Sequence, residues 1–165
     1  ISNQPGASGI ALAQARNIAV TIIPHHGKTR EQFDTELDAT LRQHGIELVC
    51  LAGFMRILSD GFVRAWQGRL INIHPSLLPA FKGINVQAQA LAAGVRVSGC
   101  TVHFVVPELD SGPIIEQACV RVDPKDTEET LAARILEEEH RIYPQALRLV
   151  ASGRVRLEGG RAIFS

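Results

Sequence analysis

The sequence carries no surplus of either charge: 17 Lys plus Arg balance 17 Asp plus Glu. Without a net field there is no long-range pull toward nucleic acid or an anionic membrane, and neither is expected as a partner. No apolar run approaches the roughly 20 residues needed to cross a bilayer. The start shows neither the charged n-region nor the apolar h-region of a secretory signal, and the odd number of thiols makes a reducing compartment, the cytoplasm, the expected location. Cysteine is scarce. Cys50, Cys100 and Cys119 form an odd set without metal-ligand spacing, each in an apolar run, and are expected as buried free thiols. His25 and His26 are adjacent, so their side chains should diverge in an extended segment and no metal is expected there. Repeats, low-complexity tracts and linkers are absent too. What remains is 165 residues with 45% hydrophobic and 21% charged side chains, enough for one domain with a real core.

Within that length, helical and extended patterns alternate. Ser8 to Arg16 is Ala-rich and helix-prone, and Ile18 to Ile23 is a short apolar run closed by Pro24. Thr29 and Gln32 have capping-box spacing, Phe33, Leu37 and Leu41 repeat at four residues, and Gly45 is a suitable stop. Leu48 to Gly53 reads as a strand buried on both faces. Ser59 caps a helix using Phe62, Val63 and Trp66, and Leu70 to His74 is a further strand ended by Pro75. A helix is expected over about Val86 to Leu91, then strands over Cys100 to Val106 and Ile114 to Val122. The loop from Pro107 to Pro113 is too short for a crossover helix, which makes those two strands antiparallel neighbours. Asp126 and Glu129 are expected to cap a long helix reaching about Ser152, with Pro144 as a kink, and a small hairpin closes the chain. This order predicts an α/β domain with a mainly parallel sheet, helices on both faces and an antiparallel C-terminal portion. Such folds bind ligands beyond the carboxyl ends of their strands.

Three segments at such positions carry unusual residues. Asn72 and His74 are two apart on one strand and share a face, while Ile71 and Ile73 take the other. They are either functional or a satisfied structural pair holding the Pro75 turn. Asp110 lies in a loop stiffened by Pro107, Gly112 and Pro113. It can reach His74 if the loop folds over the sheet end, and it is otherwise an ordinary turn aspartate. Phe54, Met55, Ile57 and Leu58, around Arg56, either line a slot for a flat heterocycle or form a hydrophobic turn under the next helix. On the last long helix, Leu131, Ile135, Ile142, Ala146 and Leu149 form an apolar stripe that Glu138 or Glu139 interrupts. Each of these two is either a carboxylate awaiting a donor or a solvated member of an acidic run.

Asn72-Ile73-His74-Pro75-Ser76-Leu77-Leu78-Pro79, Gly83, Gln89-Ala90-Leu91, Thr101-Val102-His103-Phe104-Val105 and Leu109-Asp110-Ser111-Gly112-Pro113-Ile114-Ile115 resemble the formyltransferase family that uses 10-formyltetrahydrofolate. Leu51 to Leu58 and Glu139-His140, followed by Ile142-Tyr143-Pro144, are similar to the branch that formylates glycinamide ribonucleotide in purine synthesis. The resemblance covers essentially the whole chain. It implies a Rossmann-like formyltransferase fold and a catalytic triad of Asn72, His74 and Asp110. It implies a folate pocket of Met55, Arg56, Ile57 and Leu58 with Val106, Pro107, Glu108 and Leu109, largely through backbone contacts. Arg30 would lie near the folate's acidic tail, and Glu139 would hold the ribose hydroxyls of glycinamide ribonucleotide. No metal is implied.

Two departures from the family pattern matter. Ile1-Ser2-Asn3 matches the family's second strand, so a first strand and a phosphate-binding loop are expected upstream, within roughly 30 to 40 residues. Gln87 stands where many relatives have histidine. Three other readings compete with the transferase. A formyltetrahydrofolate hydrolase would use the same triad on water, and the match around Pro75 and in the last helix argues against it. A transferase acting on methionyl-tRNA would add a basic C-terminal domain, which this neutral chain lacks. A folate- or nucleotide-binding module without catalysis is disfavoured by the intact triad.

Overall fold

A computed structural model describes all residues, 1–165. The chain divides into two compact units, residues 1–46 with 57–62 and residues 47–56 with 63–165.

The first unit is held by scattered contacts rather than a regular sheet. Its one sheet-like contact is a parallel bridge between Ser2 and Ile22, in place of a regular strand over the Ile18–Ile23 run. Helix α1 (Ser8–Gln14) buries none of its residues. Helix α2 (Arg30–Gln43) starts with the expected capping box: the Thr29 hydroxyl accepts from the Gln32 amide, and the Gln32 side chain accepts from the Thr29 amide. Phe33, Leu37 and Leu41 are its buried stripe, as their four-residue spacing requires, and Gly45 follows with φ +62°. Asp34, 4% exposed, accepts a 2.6 Å hydrogen bond from the Ser59 amide. The two histidines do not diverge. Their rings lie 4.2 Å apart because the chain turns at His26–Gly27 instead of staying extended, and His25 Nδ1 is 3.0 Å from Asn3 Nδ2.

The second unit contains the main sheet. Strand β1 (Val49–Leu51) is followed in the chain by helix α3 (Asp60–Ala65), of which Asp60 to Phe62 belong to the first unit. The Phe62 amide donates to the Ser59 hydroxyl as expected of a cap. Strand β2 (Leu70–His74), helix α4 (Val86–Ala92) and strands β3 (Val97–Phe104) and β4 (Ile114–Arg121) follow. Helix α5 (Glu128–Ala151) and the antiparallel hairpin of β5 (Val155–Glu158) and β6 (Arg161–Phe164) complete the unit.

The sheet order is β1-β2-β3-β4, with β1 and β2 parallel and both β2/β3 and β3/β4 antiparallel. The antiparallel C-terminal portion therefore reaches back to β2. Residues 75–96 stay at the carboxyl end of β2 rather than crossing to its amino end, so β3 enters beyond His74 and runs the opposite way. In that register Asn72 faces His103 and His74 faces Thr101, while Ile71 faces Phe104 and Ile73 faces Val102. Alternation puts the second set on the core side. Ile71, Cys100, Val102 and Phe104 are fully buried there with Leu131, Ile135, Ile142 and Ala146 of α5.

Three expectations need correction. Strand β1 is not buried on both faces: Val49 is buried, Cys50 exposed and Leu51 half-buried, because β1 is the edge of the four-stranded sheet. Of the cysteines only Cys100 is buried. Cys119 takes an outward position in the alternation of β4, between buried Ala118 and Val120. The long helix is capped by Thr127 and Thr130 in a reciprocal box. Asp126 is drawn instead into a two-pronged pair with Arg134, at 2.8 and 2.9 Å, which holds its carboxyl well below the usual range. Pro144 lies inside α5.

Candidate functional site

Strand alternation delivers Asn72 and His74 to one face at the carboxyl end of β2, and the antiparallel register sets His103 and Thr101 beside them. The result is a two-by-two polar patch in an otherwise apolar sheet. His74 is 5% exposed, His103 2% and Thr101 0%, so each polar atom needs a partner inside the protein. Every buried side-chain nitrogen and oxygen has one.

The partners come from two loops. In residues 75–85, Ser76 Oγ donates to the Ala80 carbonyl at 2.6 Å, and the Leu78–Pro79 peptide is cis. Thr101 fastens this loop to the sheet. Its hydroxyl donates to the Ser76 carbonyl at 2.7 Å and accepts from the Leu78 amide at 3.0 Å and from Gln117 Nε2 at 2.9 Å. Gln117 Nε2 also donates to the Leu78 carbonyl. The loop held in this way presents the Phe81 carbonyl to His74 Nε2 at 2.9 Å. A carbonyl only accepts, so Nε2 carries the proton of that bond.

The second loop, residues 105–113, returns to the sheet at a point of very close approach. Phe104 N–H donates to the Pro113 carbonyl at 2.9 Å, and β4 bulges opposite Val102 and His103. Gly112 is required there: an added Cβ would lie 1.7 Å from the Phe104 carbonyl oxygen. This return places Asp110, at φ +47°, so that its Oδ2 accepts from the Gly83 amide at 2.8 Å and lies 3.6 Å from His74 Nδ1. Lys82 Nζ donates to Ser111 Oγ at 2.6 Å, a further link between the two loops. Both ring nitrogens of His74 therefore face acceptors. The 3.6 Å separation from Asp110 is just outside direct hydrogen-bond reach, so only the Nε2 contact is a direct hydrogen bond.

On the other side of the patch, His103 Nδ1 is 2.9 Å from the Phe104 carbonyl, and its Nε2 is 3.4 Å from Asn72 Nδ2. Burial pushes the His103 pKa down, against the raising effect of the Phe104 carbonyl bond and Asp110, with nearby His74 lowering it further. Neutral His103 thus carries its proton on Nδ1 and offers a lone pair at Nε2.

The structure brings Asn72, His74 and Asp110 together in the second unit. Met55, Arg56, Val106, Pro107, Glu108 and Leu109 belong to the same unit. Met55 is 79% exposed and Leu109 55%, whereas Arg56, Val106 and Pro107 are half-buried. Arg30, Ile57 and Leu58 belong to the first unit. Arg30 is the exposed first residue of α2, Ile57 is exposed and Leu58 is buried. On α5 the two glutamates separate clearly. Glu138 is ion-paired with Arg141 on the surface. Glu139 sits half-buried in the apolar stripe, and that burial raises its pKa against the opposing effect of His140. His103, Thr101 and the Phe81–Gly83 turn were not anticipated as parts of the site. Thr101 and His103 repeat the two-residue polar spacing of Asn72 and His74, a signal readable in the sequence.

Known proteins match nearly the whole chain. The trifunctional purine biosynthetic protein adenosine-3 of Gallus gallus is 51% identical over 164 residues, which is 98% of this chain. The chain spans only 16% of the length of that relative. Phosphoribosylglycinamide formyltransferase of Escherichia coli (strain K12) is 43% identical over 162 residues, covering 98% of this chain and 76% of the relative. The crystal structure of glycinamide ribonucleotide transformylase 1 from Symbiobacterium toebii superposes with a TM-score of 0.94 at 47% identity, over 98% of this chain and 77% of that one. Residues 1–147, which include the Asn72, His74 and Asp110 cluster and Glu139, match the family described as formyl transferase, and to that family the chain belongs.

Proposed function

We propose that this chain transfers the formyl group of 10-formyltetrahydrofolate to the amine of glycinamide ribonucleotide. The observation that carries the reading is the His74–Asp110 pair, 3.6 Å apart, beside the Asn72 amide at one strand end of a formyl transferase family member. The folate supplies an activated formyl group on nitrogen. As the amine attacks the formyl carbon, charge develops on the formyl oxygen, and the Asn72 amide and a His74 N–H are the donors suited to it. His74 Nε2 would exchange the Phe81 carbonyl for that oxygen. Asp110 orients the His74 ring and, through a water, accepts the amine's proton and returns one to the departing nitrogen.

Exposed Met55 and Leu109 and the backbone of residues 106–109 suit a flat heterocycle with polar edges, because apolar side chains cover its faces and peptide groups read its rim. Half-buried Glu139 is a carboxylate on an apolar stripe, and paired ribose hydroxyls would supply donors to it there.

The test is to supply both substrates to the purified chain and follow the products by mass spectrometry. Formylated glycinamide ribonucleotide appearing in step with tetrahydrofolate supports the reading. Formate without formylated amine, or no product at all, overturns it.

A further inference from the structure

Resting on that reading of the site, we propose that His103 is a positioning residue for formyl transfer, holding the Asn72 amide so that its nitrogen, not its oxygen, is presented to substrate. An asparagine amide can sit in two orientations of nearly equal shape, and only one of them can stabilise a developing oxyanion. The choice must come from a neighbour that accepts and cannot donate.

His103 meets that requirement. Its Nδ1 lies 2.9 Å from the Phe104 carbonyl, which can only accept, so the ring proton is on Nδ1. Its Nε2 is left as a bare lone pair 3.4 Å from Asn72 Nδ2. The flipped amide would set the carbonyl oxygen of Asn72 against that lone pair. One N–H of Asn72 is spent on His103, and the second is free for the substrate oxygen. At 2% exposure the imidazole is shielded from bulk solvent, and that burial lowers its pKa and favours the neutral ring. The geometry is built into the sheet, because Asn72 and His103 are directly opposed in the β2/β3 register.

Two measurements test this. Nitrogen NMR of the unmutated chain should find His103 protonated at Nδ1 and bare at Nε2, with the Asn72 side-chain amide resonance displaced in His103→Gln and His103→Phe. A ring protonated at Nε2, or an Asn72 amide indifferent to both substitutions, overturns the proposal. This arm decides it even if the chain proves to have no formyltransferase activity, and even if His103→Phe fails to fold.

In the kinetic arm, His103→Phe should lower kcat roughly 10- to 100-fold, as expected of a misplaced catalytic donor, with KM for both substrates little changed. His103→Gln, which keeps an acceptor, should recover part of the loss. In an Asn72→Ala background His103→Phe should have less than about a twofold further effect, since its target is gone. An equal fold-loss in both backgrounds would mark His103 as merely structural.

Discussion

The Oδ2 atom of Asp110 serves two partners at once, the Gly83 amide at 2.8 Å and His74 Nδ1 at 3.6 Å. His74, in turn, reaches the same turn through Nε2 and the Phe81 carbonyl. Residues 81–83 are therefore clamped between a donor and an acceptor of the proposed catalytic set, and movement of that turn displaces both groups.

His74→Ala and Asp110→Ala should each lower turnover by about 10²- to 10⁴-fold, the usual contribution of a positioned acid or base. Folate affinity should stay nearly intact, since the proposed folate contacts belong to other residues. Stopped-flow turnover and equilibrium folate titration on the same preparations check this. Lost affinity with unchanged turnover would refute the division of roles.

Gly112→Ala is expected to be far worse than its one added methyl suggests. The Cβ would meet backbone, the Phe104 carbonyl carbon at 2.8 Å and its oxygen at 1.7 Å, and neither can rotate away. The loop has to lift, carrying Asp110 from His74. A stability loss of about 1–3 kcal/mol is expected from overpacking, with turnover falling more than the melting shift explains. Thermal unfolding compared with kcat provides the check, and wild-type values for both would contradict the close approach.

Thr101→Val keeps the shape of the side chain and removes its hydroxyl. The buried Leu78 amide and the Ser76 carbonyl both lose their partner, at about 1–3 kcal/mol for an unsatisfied buried group. Faster amide exchange should follow across residues 76–81 while β4 stays protected, as hydrogen–deuterium exchange would reveal.

Glu139→Gln should stabilise the chain and weaken nucleotide binding together. Burial raises the folded-state pKa of Glu139 above its unfolded value. The folded chain therefore holds this proton more tightly, and stability falls as pH rises from the ordinary carboxylate range through the folded pKa. The substitution removes that penalty, so the melting temperature should rise at neutral pH and match the parent in acid below the ordinary carboxylate range. Affinity for glycinamide ribonucleotide should drop roughly tenfold or more, the scale of a charge-assisted hydrogen bond. Melting at two pH values and calorimetric titration of the nucleotide test the pair of effects.

Much of this architecture was legible because it rests on local chemistry. Thr29 and Gln32 announce a helix start by spacing alone, and the run from Leu70 to His74, closed by Pro75, is bounded on its own terms. The shared face of Asn72 and His74 follows from strand geometry, and the short loop from Pro107 to Pro113 forces β3 and β4 to run antiparallel. Features set by distant partners were not legible. Nothing near Asp126 reveals that Arg134, eight residues away, outbids the helix N-terminus for its carboxylate. The exposure of Cys50 and Cys119 depends on which strand is an edge and which way each alternates. The opposition of Asn72 and His103 across 31 residues exists only once β2 and β3 have paired, and so does the role it suggests.

That pairing carries a consequence for how activity is acquired. Ile71, Ile73, Val102 and Phe104 alternate with Asn72, His74, Thr101 and His103 along the same two strands. A one-residue slip of β2 on β3 would turn Asn72 and His74 inward and Ile71 and Ile73 outward together. The core thus proofreads the site: an alignment that misplaces the amide and imidazoles also forfeits apolar burial and is rejected during folding. Chains caught with β2 and β3 unpaired or misaligned should be inert rather than sluggish, so recovery of turnover on refolding should track protection of the β2/β3 amides as a single event.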